Sequence, residues 1–306
     1  MYDKSRVIRI CTDRRRSMMK KIAIIGANGF IGTHMQTFFK TKGFEILPLD
    51  REDTGKSSAE IAGVLEGTDI VINLAGAPII HRWSEAYKKV LYNSRILTTR
   101  KVVEAMRQMQ RSPGLFISTS AIGIYATDGP MSESSYTYGD NFLSRICIDW
   151  ETEAKKANEF TRVVIFRFGV VLGKDGGALA KMLPSFRLGI AGTIGDGSEP
   201  FSWVHIDDLL SAYIFVFSKE NLEGTFNLCA PNPVTNRELT KTLGKILHRP
   251  TVIPLPKFLL KLLFSEGATV LTEGQRVIPE RLLENHFIFK YPTIEAALRE
   301  VLDAPE

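Results

Sequence analysis

Residues 21–25 form an unbroken apolar run of strand-forming side chains that stops at Gly26. From Phe30 to Phe39 apolar positions recur at helical intervals, until Lys42 and Gly43 end the pattern. A continuous run followed within a few residues by helical spacing predicts a buried strand, a tight turn and an amphipathic helix. The same alternation then repeats. Residues 44–50 predict a second strand ending in Asp50, 57–65 a short helix, and 69–76 a buried strand ending in small residues. A long helix is predicted from Ser84 to about Gln110, with Tyr87, Val90, Leu91, Ile96, Leu97 and Val102 on its apolar face. Residues 115–118 predict the next strand, which runs on through 119–125. A helix over 141–158 and a strand over 162–168 follow. So regular an alternation predicts an α/β fold built on a doubly wound parallel Rossmann sheet.

Past Gly173 the pattern loosens into a glycine-rich, loop-like segment that lasts to about residue 200. Residues 201–206 predict a short strand, Asp207 an N-cap for a helix over 208–217, and 225–228 a last strand. The remainder predicts helices over 235–247 (with Thr235 as N-cap), 257–264 and 294–302. The organisation that results is a leader over 1–19 and a dinucleotide-binding unit over 20–173, completed by about 201–229. A smaller, mainly helical substrate-side lobe takes 174–200 and 230–306. The apolar stripe of 257–264 reads as core.

Composition changes this picture in two places. The formal charge of +5 sits in the first twenty residues, where Lys4, Arg6, Arg9, Arg14, Arg15, Arg16 and Lys20 face only Asp3 and Asp13. The rest of the chain sums to zero, so the high isoelectric point gives no warrant for nucleic-acid binding by the folded body, and the expected partner is a small molecule. The leader has no uninterrupted apolar stretch of the secretory kind, and Met18-Met19 before the first strand suggests an upstream start and a disordered tail. No apolar run is long enough to span a bilayer. Cys11, Cys147 and Cys229 show neither metal-ligand spacing nor an even-numbered framework, which implies a reducing, cytoplasmic setting.

The candidate chemistry begins at Gly26, Gly29 and Gly32. In a strand–turn–helix, the first glycine permits the tight turn and the second lets backbone N–H groups approach a pyrophosphate. The third lets helix and sheet pack closely. An ordinary strand–helix turn can carry the same glycines, so the rest of the chain must decide. Asp50 lies eighteen residues beyond Gly32, where an acid meets the adenosine ribose. Arg51 follows it. An Asp repels a 2′-phosphate and an Arg attracts one, which leaves NAD against NADP open.

Taken together, Gly26-x-x-Gly29-x-x-Gly32, Asp69-x-Val-x-Asn-Leu-Ala75, Ser120 with Tyr125, Arg167-x-Gly169 and Trp203-Val-His-Ile-Asp-Asp208 resemble the extended short-chain dehydrogenase/reductase family of nucleotide-sugar epimerases and dehydratases. Arg82-Trp83 with Ser94-Arg95, Trp150-Glu151, Asp175-Gly-Gly177, Met182-Leu-Pro184, His248-Arg-Pro250 and Gly274-Gln-Arg276 resemble its epimerase-family-protein branch, which ends in a domain of unknown function. The resemblance covers nearly everything from Lys20 onward. It implies NAD(P) held by Gly26, Asn28, Gly29, Phe30, Ile31, Gly32, Asp50, Arg51, Leu74, Ala75, Gly76 and Arg95.

The departure from the family is in the catalytic pair. Relatives use a Tyr phenol as acid–base and a Lys four residues on, which lowers the phenol's pKa and holds the ribose. Counting back from Glu151 places Leu143 at the Tyr position and Cys147 at the Lys position, and residues 115–160 contain no Tyr-x-x-x-Lys. Ser120 matches the family serine, and Tyr125 is the remaining acid–base candidate; pocket lining is its plainer role. His205 reads as a structural histidine, Asp207 and Asp208 as helix caps without a metal, and Lys181, Arg187 and Arg276 as solvated cations. Two functions stay open. One is an NAD(P)-dependent oxidoreductase or epimerase acting on a small carbonyl or sugar-like substrate. The other is a dinucleotide-binding sensor or partner-binding module without turnover.

Overall fold

The computed structural model describes residues 20–303; the leader reading falls outside it. Six strands form one parallel sheet: β1 (Lys21–Ile25), β2 (Glu45–Leu49), β3 (Ile70–Asn73), β4 (Leu115–Ala121), β5 (Arg162–Phe168) and β6 (Gly224–Leu228). Their order across the sheet is β6-β5-β4-β3-β1-β2, every neighbour parallel. The order reverses between β1 and β3, and the crevice beyond their carboxyl ends is where such sheets take ligands.

Helices cover both faces. On one, α1 (Phe30–Thr41) and the later helix over residues 206–218 bury Met35, Phe39, Leu209 and Tyr213 against Ile22, Ile72, Ile117 and Phe166. On the other lie α2 (Arg51–Gly55), α3 (Ser58–Leu65), α4 (Glu85–Tyr92), α5 (Thr98–Gln108) and α6 (Phe142–Lys155). There Ile61, Val102, Met106 and Ala154 close over Ala23, Val71, Phe116 and Ile165. Both sheet faces are dry, which is why the strands read as continuous apolar runs and not as alternating ones.

Several expectations need correction. The long helix predicted from Ser84 starts there, with Ser84 Oγ accepting from Tyr87 N, but a π turn over Asn93–Leu97 separates α4 from α5. The glycine-rich segment hides α7 (Gly177–Arg187), whose Leu179, Leu183 and Phe186 pack at helical spacing. Residues Val170–Leu172 pair in parallel with Trp203–His205 outside the main sheet. Helix α8 (Ile206–Ser218) is capped by His205, whose Nδ1 accepts from Asp207 N, and not by Asp207. Asp208 instead accepts from Lys290 N and Tyr291 N, tying the C-terminal segment to the sheet.

The C-terminal part contributes α9 (Asn236–Leu247), α10 (Lys257–Phe264) and α11 (Ile294–Asp303). Thr235 caps α9 as expected. The stripe of α10 is not core: Phe258, Leu259, Leu262 and Leu263 are 67%, 42%, 73% and 61% exposed. Its inner residue Leu260 is buried, Lys257 pairs with Glu199, and Arg82 Nη1 donates to Leu262 O. Among the described residues no helix is long and apolar enough to cross a membrane.

Candidate functional site

The glycine turn sits at the point where the sheet order reverses. Gly26 takes a φ of 81°, and a Cβ there would lie 3.1 Å from the backbone of Leu74, at the end of β3. The two strand ends therefore meet only because position 26 lacks a side chain. Gly32 is tighter, since a Cβ would come within 2.5 Å of Gly26 O and 2.6 Å of Ala27 O. Gly29 is the N-cap of α1 and supplies no side-chain cap, and the first turn of α1 contains no acid. A twelve-residue helix thus points its unsatisfied N–H groups and positive dipole end toward exposed Asn28 and Gly29, which suits an incoming phosphate. The ring of Phe30 fills the space above Gly173 and Gly176, where a Cβ would come within 2.7 and 2.4 Å of it. This contact brings the segment after β5 down onto the turn.

At the end of β2, Asp50 is drawn into a capping box. Its Oδ1 accepts from Glu52 N at 2.8 Å and Asp53 N at 3.2 Å, while Asp53 Oδ2 accepts from Asp50 N. Arg51 stands exposed beside it and forms no ion pair among the described residues. Leu74, Ala75 and Gly76 line the other side of the crevice, partly or fully exposed. Arg95 reaches them from the π turn: its Nη2 donates to Ala77 O at 3.0 Å and its Nη1 to Leu91 O at 3.3 Å. The structure therefore gathers Gly26, Asn28, Gly29, Phe30, Ile31, Gly32, Leu74, Ala75, Gly76 and Arg95 around one crevice, with Asp50 and Arg51 at its β2 end.

The two candidate catalytic side chains lie elsewhere in character. Ser120 is buried, and its Oγ donates to Glu151 Oε1 at 2.9 Å. Tyr125 is wholly buried rather than in an open cleft: its OH donates to Asn227 Oδ1 and accepts from Arg167 Nη1, both at 2.7 Å. Burial pushes its pKa up to about 12, outweighing the opposing pull of Arg167. A phenol so placed neither meets a substrate nor gives up its proton near neutrality, which removes Tyr125 from the acid–base role.

These groups belong to a buried network centred on Arg167 of β5. Its Nε donates to Glu151 Oε1 at 2.6 Å and its Nη2 to Glu151 Oε2 at 2.8 Å. Burial acts to lower the Arg167 pKa, but Glu151 and Tyr125 more than offset it and hold the guanidinium charged. Asn227 passes the network on, its backbone N–H donating to Glu133 Oε1 at 2.7 Å. Arg167 and Glu151 were legible as family residues, yet their convergence with Ser120, Tyr125 and Asn227 was not. The signal was an arginine inside an otherwise apolar strand, which must find a buried partner.

Leu143 and Cys147, expected at the positions of the family's Tyr and Lys, both lie on α6. Leu143 packs beside Trp83 and Phe142 and faces Gly123 just beyond β4. Cys147 is buried next to Ser120 and Ala121, and burial, followed by the Glu151 charge, pushes its thiol pKa up to about 11. Neither provides a phenol or a cation. Lys181, Arg187 and Arg276 stand exposed. Among the described residues no cluster of metal-ligating side chains is present.

Sheet order, strand-end crevice and glycine turn together define an α/β protein of the Rossmann type. The chain belongs to the NAD dependent epimerase/dehydratase family, whose description fits residues 22–229, followed by a domain of unknown function (DUF1731) over 255–301. It is 38% identical to the epimerase family protein SDR39U1 homolog, chloroplastic, of Arabidopsis thaliana, over 96% of this chain and 89% of that one. It is 34% identical to the mouse epimerase family protein SDR39U1, over 92% and 99%. The crystal structure of human SDR39U1 with NADPH superposes with a TM-score of 0.84 at 31% identity, covering 93% of this chain and all of that one.

Proposed function

We propose that this protein binds NADPH and uses it to reduce, or to interconvert by way of reduction, a small carbonyl or sugar-like compound. The observation that carries the reading is the uncapped N-terminus of α1 at the reversal point of the sheet, where Gly26 and Gly32 leave no room for a Cβ. These residues fit a pyrophosphate without rearrangement. Asp50 and Arg51 favour the phosphorylated cofactor. The Asp50 carboxylate is engaged by Glu52 N and Asp53 N, while the Arg51 guanidinium is exposed for a 2′-phosphate. That the human relative was solved with NADPH supports the same choice.

NADPH, when bound, supplies a hydride; the protein's share is to hold and orient. Gly29 to Gly32 would hold the pyrophosphate through backbone N–H groups, with Phe30 packed on Gly173 and Gly176 as one wall. Leu74, Ala75 and Gly76 would line the other side of the cofactor crevice. With Tyr125 buried and Leu143 in place of the phenol, the proton that completes a carbonyl reduction comes from water.

The test is NADPH absorbance followed over a panel of aldehydes, ketones and keto-sugars. Oxidation on at least one class, with Tyr125→Phe turning over within about tenfold of wild type, supports the reading. A second reading, an NADPH-holding module without turnover, draws on Leu143 and Cys147 in place of the family's Tyr and Lys and on the burial of Ser120 and Tyr125. Tight NADPH binding with no oxidation across the panel would move the assignment to it.

A further inference from the structure

Two arginines turn inward on the α4–α6 side of the sheet, Arg167 buried and Arg95 partly buried, and only Arg167 is neutralised. Arg167 faces both carboxylate oxygens of Glu151. Arg95 faces none: among the described residues no carboxylate pairs with it, and the ionisable groups around it are the Cys147 thiol and the Tyr87 phenol. Burial lowers its pKa. A guanidinium withdrawn from water without a counter-charge is unfavourable, and it persists where an anion completes it. Arg162 is also half-buried, but it spends its donors on Val216 O, Lys219 O and Leu222 O at the end of α8, a structural use. Arg95 bonds only two carbonyls, Ala77 O and Leu91 O, which leaves most of a five-donor fork available.

Its placement is built in detail. The π turn lets consecutive residues grip both backbone polar groups of one residue: Ser94 Oγ accepts from Ala77 N at 3.0 Å while Arg95 Nη2 donates to Ala77 O. The guanidinium lies 5.4 Å over the Trp150 ring, on the same helix as Cys147. On its other side it comes so near exposed Gly76 that a Cβ there would be 3.1 Å from Arg95 Cζ. Such π turns are often found at functional sites.

We propose that Arg95 is an anion-binding residue of the crevice, supplying from the π turn the positive charge that Cys147 no longer supplies from α6. Its ligand is a carboxylate or phosphate group, carried either by the substrate or by the cofactor's pyrophosphate. Its position beside the nicotinamide end rests on the cofactor reading above.

The experiment titrates NADPH, inorganic phosphate and oxalate separately into wild type, Arg95→Met and Gly76→Ala. The two anions are run with and without saturating NADPH, and thermal melts establish that each variant folds. Gly76→Ala keeps the charge but displaces the guanidinium, so it reads the same site should Arg95→Met not fold. A tenfold or greater loss of NADPH affinity in Arg95→Met, which leaves Gly76 in place, assigns the anion to the cofactor. Unchanged NADPH affinity with a tenfold loss of phosphate or oxalate binding assigns it to the substrate. If neither NADPH nor anion binding depends on Arg95 or Gly76, the proposal is overturned. Should wild type fail to bind NADPH, the cofactor reading falls, and the anion titrations on the free protein still decide the role of Arg95.

Discussion

Arg167 and Glu151 form a two-pronged buried pair in which each carboxylate oxygen accepts one guanidinium N–H, at 2.6 and 2.8 Å. The pair joins β5 to α6 directly beneath the loop that carries Tyr125. Glu151→Ala strands the Arg167 charge in the interior and should cost about 3–5 kcal/mol in urea unfolding. Ser120→Ala removes one neutral donor and leaves the pair intact, at about 1 kcal/mol. Equal losses in the two variants would contradict the assignment of Ser120 as a member of the network rather than its centre.

Tyr125 should act through stability and not through chemistry. With its pKa pushed up to about 12 by burial, it stays neutral in the folded state while the unfolded phenol ionises near the ordinary value of about 10. Its contribution is therefore complete below pH 10 and is lost as pH rises from 10 toward 12. The stability difference between wild type and Tyr125→Phe, measured at pH 8 and pH 11, should shrink at the higher pH. A difference that grows would reverse the sign.

Gly32 and Gly63 make a matched pair of helix glycines with opposite expectations. Gly32→Ala drives a Cβ to within 2.5 Å of Gly26 O and should distort the turn, weakening NADPH binding by tenfold or more. Gly63 lies in α3 with open space around its Cβ position, so Gly63→Ala should stabilise the protein by about 0.5–1 kcal/mol and leave binding unchanged. Chemical denaturation and NADPH titration of both variants check the contrast.

What the chain disclosed before its structure follows from which forces are local. The sheet was legible because β1 and β3, buried on both faces, are continuous apolar runs, and because Ser57, Ser84, Asn141 and Thr235 cap their helices with their own side chains. Helix α7 was hidden because Gly176, Gly177 and Pro184 are weak helix formers. Burial of Leu179, Leu183 and Phe186 against the C-terminal lobe overrides them. The burial of Ser120 and Tyr125 depends on Glu151, Arg167 and Asn227, and no local pattern encodes contacts across 31 to 102 residues. The α10 stripe misled because helical periodicity marks an apolar face without saying what covers it.

Cofactor choice should turn on Arg51. Removing its charge with Arg51→Ala should weaken NADPH by about tenfold to a hundredfold and leave NADH within about twofold, since a hydrogen bond to a charged phosphate is worth about 1.5–3 kcal/mol. Parallel fluorescence titrations with the two cofactors give the ratio directly. An unchanged ratio would place the 2′-phosphate away from the β2 end.

The central claim is that the N-terminus of α1 cradles the pyrophosphate. Gly29 sits at the N-cap with φ −76° and ψ 167°, an extended conformation that Asp adopts readily, and Asp is among the best N-cap residues. A Cβ there lies 3.3 Å from Gly26 O, so Gly29→Asp should fold after a small shift of the turn while setting a carboxylate against the phosphates, a repulsion of about 1–4 kcal/mol at close range. NADPH titration into folded wild type and Gly29→Asp is the decisive measurement. Saturable binding by wild type and a loss of tenfold or more in the variant are predicted; equal affinity in the two would contradict the account.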